Sequence, residues 1–422
     1  MNRRLVLFVL MVAALSSARC QEAIQGRVCD GGTKQGIPYA AVHVVNTCVG
    51  TYCNEAGQFA LHIPQGMKDT KVVISSLGYS SDTIEARQLA KRKGKVVLEP
   101  NVRQLRPVEV VEYGSARKLL EEVFRRIPEN YRVEDAVGIW QYRNRQMLND
   151  SLFVKSEGLM RMYMQPYNGK PLKAHHGPNS SQWDEELYRL YQRLDTVLVY
   201  NKAYWRSLIG SDSLDRMMLV DRFSKPSDCW RAALTDIVFG GKKTRNLILS
   251  KKSKFVMETF SQDGKGYYRV TATIPVKLLD TCYTAVFVIT KDELAIVDAV
   301  CEIPRFTYKP KIYFTSHPYC EDEQSASRTH YCYHKYNGRY QLDFVQYEYE
   351  YWYKFTLEAK ERGCRSTRLK ISGKEECILA EHTYEGVAEY KRRYVDNEHP
   401  RTEENVRETE RILRQPHNKI PW

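Results

Sequence analysis

Apolar and polar residues alternate with a period of two along most of the chain. Between residues 24 and 98 the alternating segments are short and bounded by turn residues, and from about 134 to 360 they are longer. Such alternation places apolar side chains on one face of a strand, and short strands without a long helix between them are typical of a β-sandwich. The pattern predicts a mainly β protein: an N-terminal sandwich, a linking helix, a larger antiparallel β domain and a helical tail.

The stretch 46–64, NTCVGTYCNEAGQFALHIP, raises the question of a calcium site. Phe59, Leu61 and Ile63 alternate with less apolar residues, which predicts a strand. The preceding segment 54–57 combines an asparagine that can bond its own backbone with a glycine that tolerates positive φ. An EF-hand loop needs several more carboxylates at fixed positions. We therefore interpret 54–57 as a turn.

The N-terminal motifs resemble those of the carboxypeptidase-regulatory-like domain. The stretches are IQGRVCDGGTKQGIPYAAVHVVNTCVGTYCNEAGQFALHIP and VISSLGYSSDTI. The matching positions are Gly26, Val28, Gly36, Pro38, Ala41, Val44, Gly50, Gly57, Phe59, Leu61, Gly78 and Tyr79. Cys53 and Asn54 stand where this family usually has threonine and aspartate. The resemblance implies a transthyretin-like sandwich over residues 22–112, of a type common in exported proteins of Bacteroidetes, that is an accessory module without its own active site.

A helix is predicted within the linking segment 113–133. Ser115 can cap it, apolar residues recur at helical spacing up to Ile127, and Pro128 is expected to end it. The run from Ile127 to Tyr131, with Gly138 to Arg143, resembles the segment that follows the regulatory-like domain in a group of Bacteroidetes envelope proteins that carry no assigned activity.

The predicted antiparallel domain spans residues 134–365. Asp263-Gly264 lies between two alternating runs and indicates a hairpin. In the run 345–355 one face is aromatic and the other largely charged, which predicts a sheet with one buried face. The aromatic stripe is either core or, if successive hairpins form a curved half-barrel as in periplasmic lipoprotein carriers, a surface for an apolar ligand.

Helical insertions are expected near 183–194 and 214–235. The segment 366–422 is predicted to be a charged, partly helical tail. The tail contains Glu-Arg pairs four residues apart, which support an exposed helix; they are Glu403 with Arg407 and Glu410 with Arg414.

Residues 1–18 have the pattern of a secretory signal peptide. A basic start and a short apolar run precede small residues that suit cleavage after Ala18. Arg19 argues against lipidation of Cys20, although that alternative stays open. The formal charge is +13, but the basic residues are scattered, so we expect no nucleic-acid partner. We expect an exported protein, in the periplasm or associated with the outer membrane or cell surface, for which peripheral membrane attachment stays open.

Ten cysteines follow Cys20 and none forms a C-x-x-C pair. An even number in an exported chain permits disulfides. Cys48 with Cys53, and Cys320 with Cys332, flank short stretches and are the pairings that the spacing suggests.

Motifs for catalysis are missing from the sequence. It contains no H-E-x-x-H, G-x-S-x-G, Walker or G-x-G-x-x-G motif. The weaker candidates are a metal set of His330, Cys332 and His334 with Cys320 and Asp322 nearby, the pair His175-His176, and the carboxylates Glu348 and Glu350. We interpret the metal set as coincidence, the histidine pair as part of an exposed loop, and the two carboxylates as part of a solvated sheet face. No catalytic, metal or cofactor residue is therefore predicted.

These patterns favour a non-catalytic envelope protein that binds or scaffolds another envelope component, whether protein, glycan or lipid. Two alternatives stay open. One is a periplasmic carrier of an apolar ligand on a curved sheet, and the other is a hydrolase whose site is assembled from distant residues.

Overall fold

The computed structural model describes residues 23–64, 67, 69–101, 106–107, 115–164, 166–167, 199–200, 241–276, 281–307, 320–361 and 363–388. The expected leader at 1–18, the insertions near 183–194 and 214–235, and the tail pairs at 403–414 lie outside these residues. No helix within the described ranges is long and apolar enough to cross a membrane.

The N-terminal region is a sandwich of two small sheets, as predicted. The strands are β1 Ile24–Asp30, β2 Ala41–Val44, β3 Gly50–Tyr52, β4 Gln58–Leu61, β5 Lys71–Ser75, β6 Asp82–Glu85 and β7 Lys95–Leu98. One sheet has the order β4-β1-β7 and the other β3-β2-β5-β6. Alternate residues of both sheets form the core, including Val28, Val42, Phe59, Leu61 and Ile74. A short helix that the pattern did not predict, α1 (Ala86–Lys91), connects β6 to β7.

The stretch at 54–57 is the predicted turn. The Asn54 side-chain oxygen accepts hydrogen bonds from the backbone nitrogens of Ala56 and Gln58 at 3.0 and 2.9 Å. Gly57 has φ of +77°, the left-handed conformation that glycine adopts without a steric penalty.

Two helices follow the sandwich. Helix α2 spans Ala116–Arg125, and the Ser115 hydroxyl caps it by accepting a hydrogen bond from the Lys118 nitrogen at 3.3 Å. The helix ends at Arg125, two residues earlier than predicted. Pro128 lies in the first turn of a second short helix, α3 (Ile127–Asn130), where its missing N–H costs nothing.

Within the described ranges, eleven strands form one large antiparallel sheet. They are β8 Arg106–Pro107, β9 Ala136–Leu148, β10 Ser151–Met164, β11 Val199–Tyr200, β12 Lys254–Gln262, β13 Lys265–Val276, β14 Thr281–Thr290, β15 Ile296–Thr307, β16 Cys320–Tyr336, β17 Arg339–Phe355 and β18 Arg368–Thr383. Their order is β11-β10-β9-β18-β17-β16-β15-β14-β13-β12-β8. Helices α4 (Gly241–Ile248) and α5 (Leu357–Glu361) precede β12 and β18. The predicted hairpin at Asp263-Gly264 is confirmed, with φ of +50° and +76° at its two turn residues.

Strand β18 corrects the expected boundary at residue 365. The sequence pattern predicts a charged tail from residue 366, whereas β18 lies between β9 and β17 in the interior of the sheet. The segment SGKEE at 372–376 looks like exposed chain because its charges interrupt the apolar alternation. In the structure these charges have partners: Lys374 pairs with Glu55 and Glu348, and Glu376 with Arg143.

The large sheet is covered on both faces. Its inner face packs against α2, and this cluster includes Leu119, Leu120, Tyr331, Leu342 and Val345. Its outer face carries Phe344 and Ile378, which pack with Tyr52 of the sandwich. The expectation of one buried face therefore holds only for the far end of β17, where Glu350 is half-buried and Lys354 is exposed.

Candidate functional site

The contact between the sandwich and the outer face of the sheet contains a group of buried polar side chains, which we call the seam cluster: His43, Tyr52, His334, Tyr336 and Asp343. The Tyr52 hydroxyl donates to Asp343 Oδ1 at 2.7 Å, and the Tyr336 hydroxyl donates to Oδ2 at 3.2 Å. Asp343 is fully buried. A change of register brings it there: Cys332 pairs with Phe344 and Tyr333 with Leu342, so Asp343 is the extra residue of a bulge.

His43 enters the cluster from β2 and stacks on His334, with ring centroids 4.1 Å apart. Its Nε2 lies 3.7 Å from Asp343 Oδ2, and neither of its ring nitrogens has a hydrogen-bond partner among the residues that the structure describes. Gly50 on the neighbouring strand makes room for it, because a Cβ there would lie 1.9 Å from His43 Nδ1. The sandwich thus inserts an imidazole into a buried site facing a carboxyl group.

Burial determines the charge of this cluster. It lowers the pKa of His43 well below its usual range and that of His334 to about 4, so both rings are neutral at pH 7. Burial also raises the pKa of Asp343 to about 7, against the two tyrosine donors, which lower it. The 3.7 Å approach of His43 to Asp343 is therefore not an ion pair.

A second cluster lies on the same face of β16. His330 Nε2 is 2.6 Å from Asp298 Oδ2, and Cys332 Sγ is 3.5 Å from His330 Nε2 and 3.6 Å from Asp298 Oδ2. In a Cys-His-carboxylate relay the two ring nitrogens serve different partners, whereas here Nε2 serves both. Burial also raises the pKa of the Cys332 thiol well above its usual value, which disfavours a nucleophilic thiolate.

The metal set considered from the sequence is divided between these clusters. His330 and Cys332 join Asp298, and His334 joins His43 and Asp343. The side chains of Cys320 and Asp322, and the pair His175-His176, lie outside the described residues. The suggested disulfides are not formed: Cys48, Cys53 and Cys332 are free.

The carboxylates Glu348 and Glu350 are engaged with cations on the outer face. Glu348 lies 2.9 Å from Lys374 Nζ, and Glu350 lies 3.3 Å from Lys370 Nζ and also contacts Arg305. The aromatic stripe of β17 faces the other way. Tyr349 and Tyr353 are buried there, and the hydroxyls of Tyr347 and Tyr351 are 2.9 Å apart, so this stripe is packed as part of the interior.

A polar cleft of about 220 Å³ lies where the 54–57 turn meets the sheet. We call it the rim cleft, and it is lined by Asn54, Glu55, Ala56, Gln58, Arg143, Asn144, Arg145, Lys374 and Glu376. Arg143 and Glu376 form an ion pair of 3.1 Å whose side chains are each 8% exposed. Lys374 lies 2.8 Å from Glu55 and 4.9 Å from the centre of the Tyr39 ring. Both the sandwich and the sheet therefore contribute charged groups to one depression.

Comparison with known families matches residues 24–111 to the model of the CarboxypepD_reg-like domain. Residues 24–111 form a CarboxypepD_reg-like domain. This confirms the resemblance found in the motifs and agrees with the observed sandwich. Comparisons with curated proteins and with solved structures found no match.

The CarboxypepD_reg-like domain contacts the sheet at well-separated places. Besides the seam cluster, the Ser81 hydroxyl donates to Asp263 Oδ2 at 2.7 Å, and the Gly78 nitrogen donates to Gln262 Oε1 at 3.1 Å. These contacts reach the β12–β13 turn, several strands away from β17 and β18. The domain is therefore docked along the outer face and is not only tethered through the linker.

Sequence reasoning named His334 as a weak metal candidate but missed the other four residues of the seam cluster. His43 and Tyr52 in the sandwich lie about three hundred positions before Asp343 in the sheet, and their pairing with it depends on tertiary structure. One feature pointed to the site: Asp343 is a lone carboxylate inside the apolar run LDFV, and a buried charge of this kind requires partners.

Proposed function

We propose that the chain is an exported, non-catalytic binding protein of the cell envelope. In this proposal the CarboxypepD_reg-like domain and the sheet together hold an acidic polysaccharide at the rim cleft. The observation that carries the proposal is the composition of that cleft, which has charged and amide side chains from both parts around one depression.

The charge of the rim cleft favours an anionic ligand. Three cations, Arg143, Arg145 and Lys374, face two carboxylates, Glu55 and Glu376. Arg145 is exposed and lies directly opposite Lys374 on the paired strand, so two like charges are adjacent on one face. Opposed like charges destabilise a sheet, and the pairing of Lys374 with Glu55 and Glu348 offsets part of this cost. A sugar carboxylate bound beside the exposed Arg145 would offset more of it, and the sugar hydroxyls would bond Gln58 and the neighbouring amide groups.

The docked domain supports a binding role. A ligand site formed by two parts needs a fixed relation between them, because each mobile part adds an entropic cost to binding. The seam cluster and the Asp263 contacts provide that relation. No nucleophile–base pair with the required geometry is found among the described clusters, which favours binding over turnover.

The test is isothermal titration with a hexamer of galacturonic acid, and with maltohexaose as the neutral counterpart. The protein should bind the acidic hexamer and not the neutral one. Arg145→Ala removes a charge-assisted hydrogen bond of about 1.5–3 kcal/mol and should weaken binding at least about tenfold. Arg365→Ala, at an exposed cation on the α5–β18 connection, is the matched control and should change affinity less than about twofold.

Three results would contradict the proposal. They are equal binding of the two hexamers, an affinity unchanged by Arg145→Ala, and release of shorter oligosaccharides during the titration.

A further inference from the structure

We propose that His43, His334 and Asp343 form a binding site for one first-row transition-metal ion, of which zinc is the representative, at the seam between the two domains. The site is separate from the rim cleft and adds a function to the proposed one: the ion would fasten the CarboxypepD_reg-like domain to the sheet.

The unpartnered imidazole of His43 is the first observation. The residue is 3% exposed, and within the described part of the chain neither ring nitrogen has a hydrogen-bond partner. A buried polar group without a partner costs free energy, and a bound ion is one of the arrangements that remove this cost in native structures. The nitrogen that faces Asp343 is already 3.7 Å from a carboxylate oxygen.

The geometry of the donors is the second observation. One atom from each of His43, His334 and Asp343 lies within 4.8 Å of the other two. Donor atoms about 2.0–2.1 Å from a tetrahedral zinc lie about 3.3 Å from one another, so an ion would draw these three donors closer together and tilt the stacked rings of His43 and His334. The three residues belong to β2, β16 and β17, which hold their backbones in place.

The surroundings match the second shell of a metal site. A ligating carboxylate is usually oriented by further hydrogen bonds. Asp343 accepts one from Tyr52 on one oxygen and one from Tyr336 on the other. Because Tyr52 belongs to the sandwich and Tyr336 to the sheet, both domains orient the carboxylate as well as supply the ligands.

The donor set selects the class of ion. Two neutral imidazoles and a carboxylate suit zinc and neighbouring transition metals, whereas calcium and magnesium prefer oxygen ligands alone. The cluster of Asp298, His330 and Cys332 is the competing site. There His330 already has a hydrogen-bond partner in Asp298 at 2.6 Å, so its ring nitrogen is satisfied without an ion.

The first test measures metal content. The full-length protein, without a polyhistidine tag, is produced with added zinc, dialysed and analysed by elemental mass spectrometry. We expect one zinc per chain. His43→Phe keeps a stacked ring but removes the ligand, and it should lower the zinc content at least about fivefold. His330→Ala should leave the content unchanged and is the matched control.

Stability and spectra provide the second readout. Zinc added to metal-free protein at a hundred times its Kd should raise Tm by about 3 °C or more, and His43→Phe should abolish the rise. The visible bands of the cobalt-substituted protein should disappear in Asp343→Asn. Circular dichroism identifies any variant that fails to fold, and His334→Gln then replaces it.

Two outcomes would overturn the proposal. One is a wild-type protein that holds no zinc and whose Tm does not rise when zinc is added. The other is zinc that survives His43→Phe but is lost in His330→Ala, which would assign the ion to the second cluster.

Discussion

The buried carboxyl group of Asp343 should give the protein a characteristic dependence of stability on pH, which Asp343→Asn removes. Asparagine has nearly the same shape but does not titrate. It can still accept a hydrogen bond from Tyr52 or Tyr336 through its amide oxygen. The variant therefore tests the charge of the group more than its packing.

The magnitude follows from the raised pKa. Burial moves the pKa of Asp343 from 3.8 to about 7 in the folded protein. Between these values the folded state keeps a proton that the unfolded chain has released, so this group lowers the free energy of unfolding as the pH rises. When this pH dependence is integrated from pH 5 to pH 8, the contribution of Asp343 to the free energy of unfolding falls by about 2.5 kcal/mol.

The neighbouring histidines act in the opposite direction. The pKa of His334 is lowered to about 4 and that of His43 well below its usual range. The unfolded chain therefore binds protons at pH values where the folded protein does not, and stability from these groups rises with pH up to about 6.5. Both rings are present in the variant, so the difference between wild type and variant isolates Asp343.

The assay is urea unfolding of both proteins at pH 5, 6, 7 and 8, with EDTA present to remove divalent ions. Between pH 5 and pH 8, the free energy of unfolding of the variant should rise by about 2.5 kcal/mol relative to that of the wild type. A difference between the two proteins that stays constant within about 0.5 kcal/mol would refute the reasoning, since it would mean that Asp343 does not titrate in this range.

Three further substitutions test the packing of the seam, the rim and the linker. Gly50→Ala places a Cβ 1.9 Å from His43 Nδ1 and should cost about 1–3 kcal/mol in urea unfolding; an unchanged midpoint would mean that the ring moves aside freely. Glu376→Leu leaves the buried cation of Arg143 without its carboxylate and should lower the free energy of unfolding by about 3–5 kcal/mol. Adding Arg143→Met should restore most of this loss in the double variant, whereas additive losses would contradict a coupled pair. Ser115→Ala removes the cap of α2 and should cost about 1 kcal/mol by thermal unfolding, whereas Ser115→Asp should cost little.

The sequence was sufficient for the elements whose pattern is local. Alternation in 345–355 and the Asp263-Gly264 turn predicted β17 and the β12–β13 hairpin, and the regulatory-like motifs predicted the sandwich. Each of these depends on side chains within a few residues of one another, so a linear pattern records them.

The parts that the sequence did not reveal depend on partners far along the chain. Strand β18 looked like an exposed tail because its charges are neutralised only when Glu55, Arg143 and Glu348 are brought to it by folding. The seam cluster likewise requires a bulge at Asp343 and a histidine from the other domain. Neither a bulge nor a docking face has a periodic pattern that could be read in advance.

The central claim is that the protein holds an acidic polysaccharide at the rim cleft without turning it over. Native mass spectrometry of the chain purified from its own envelope fraction, without added ligand, tests this most directly. The account predicts an added mass made of sugar units that include uronic acids, which is lost in Arg145→Ala and kept in Arg365→Ala. A lipid adduct, a bare chain, or a sugar adduct that Arg145→Ala leaves in place would contradict it.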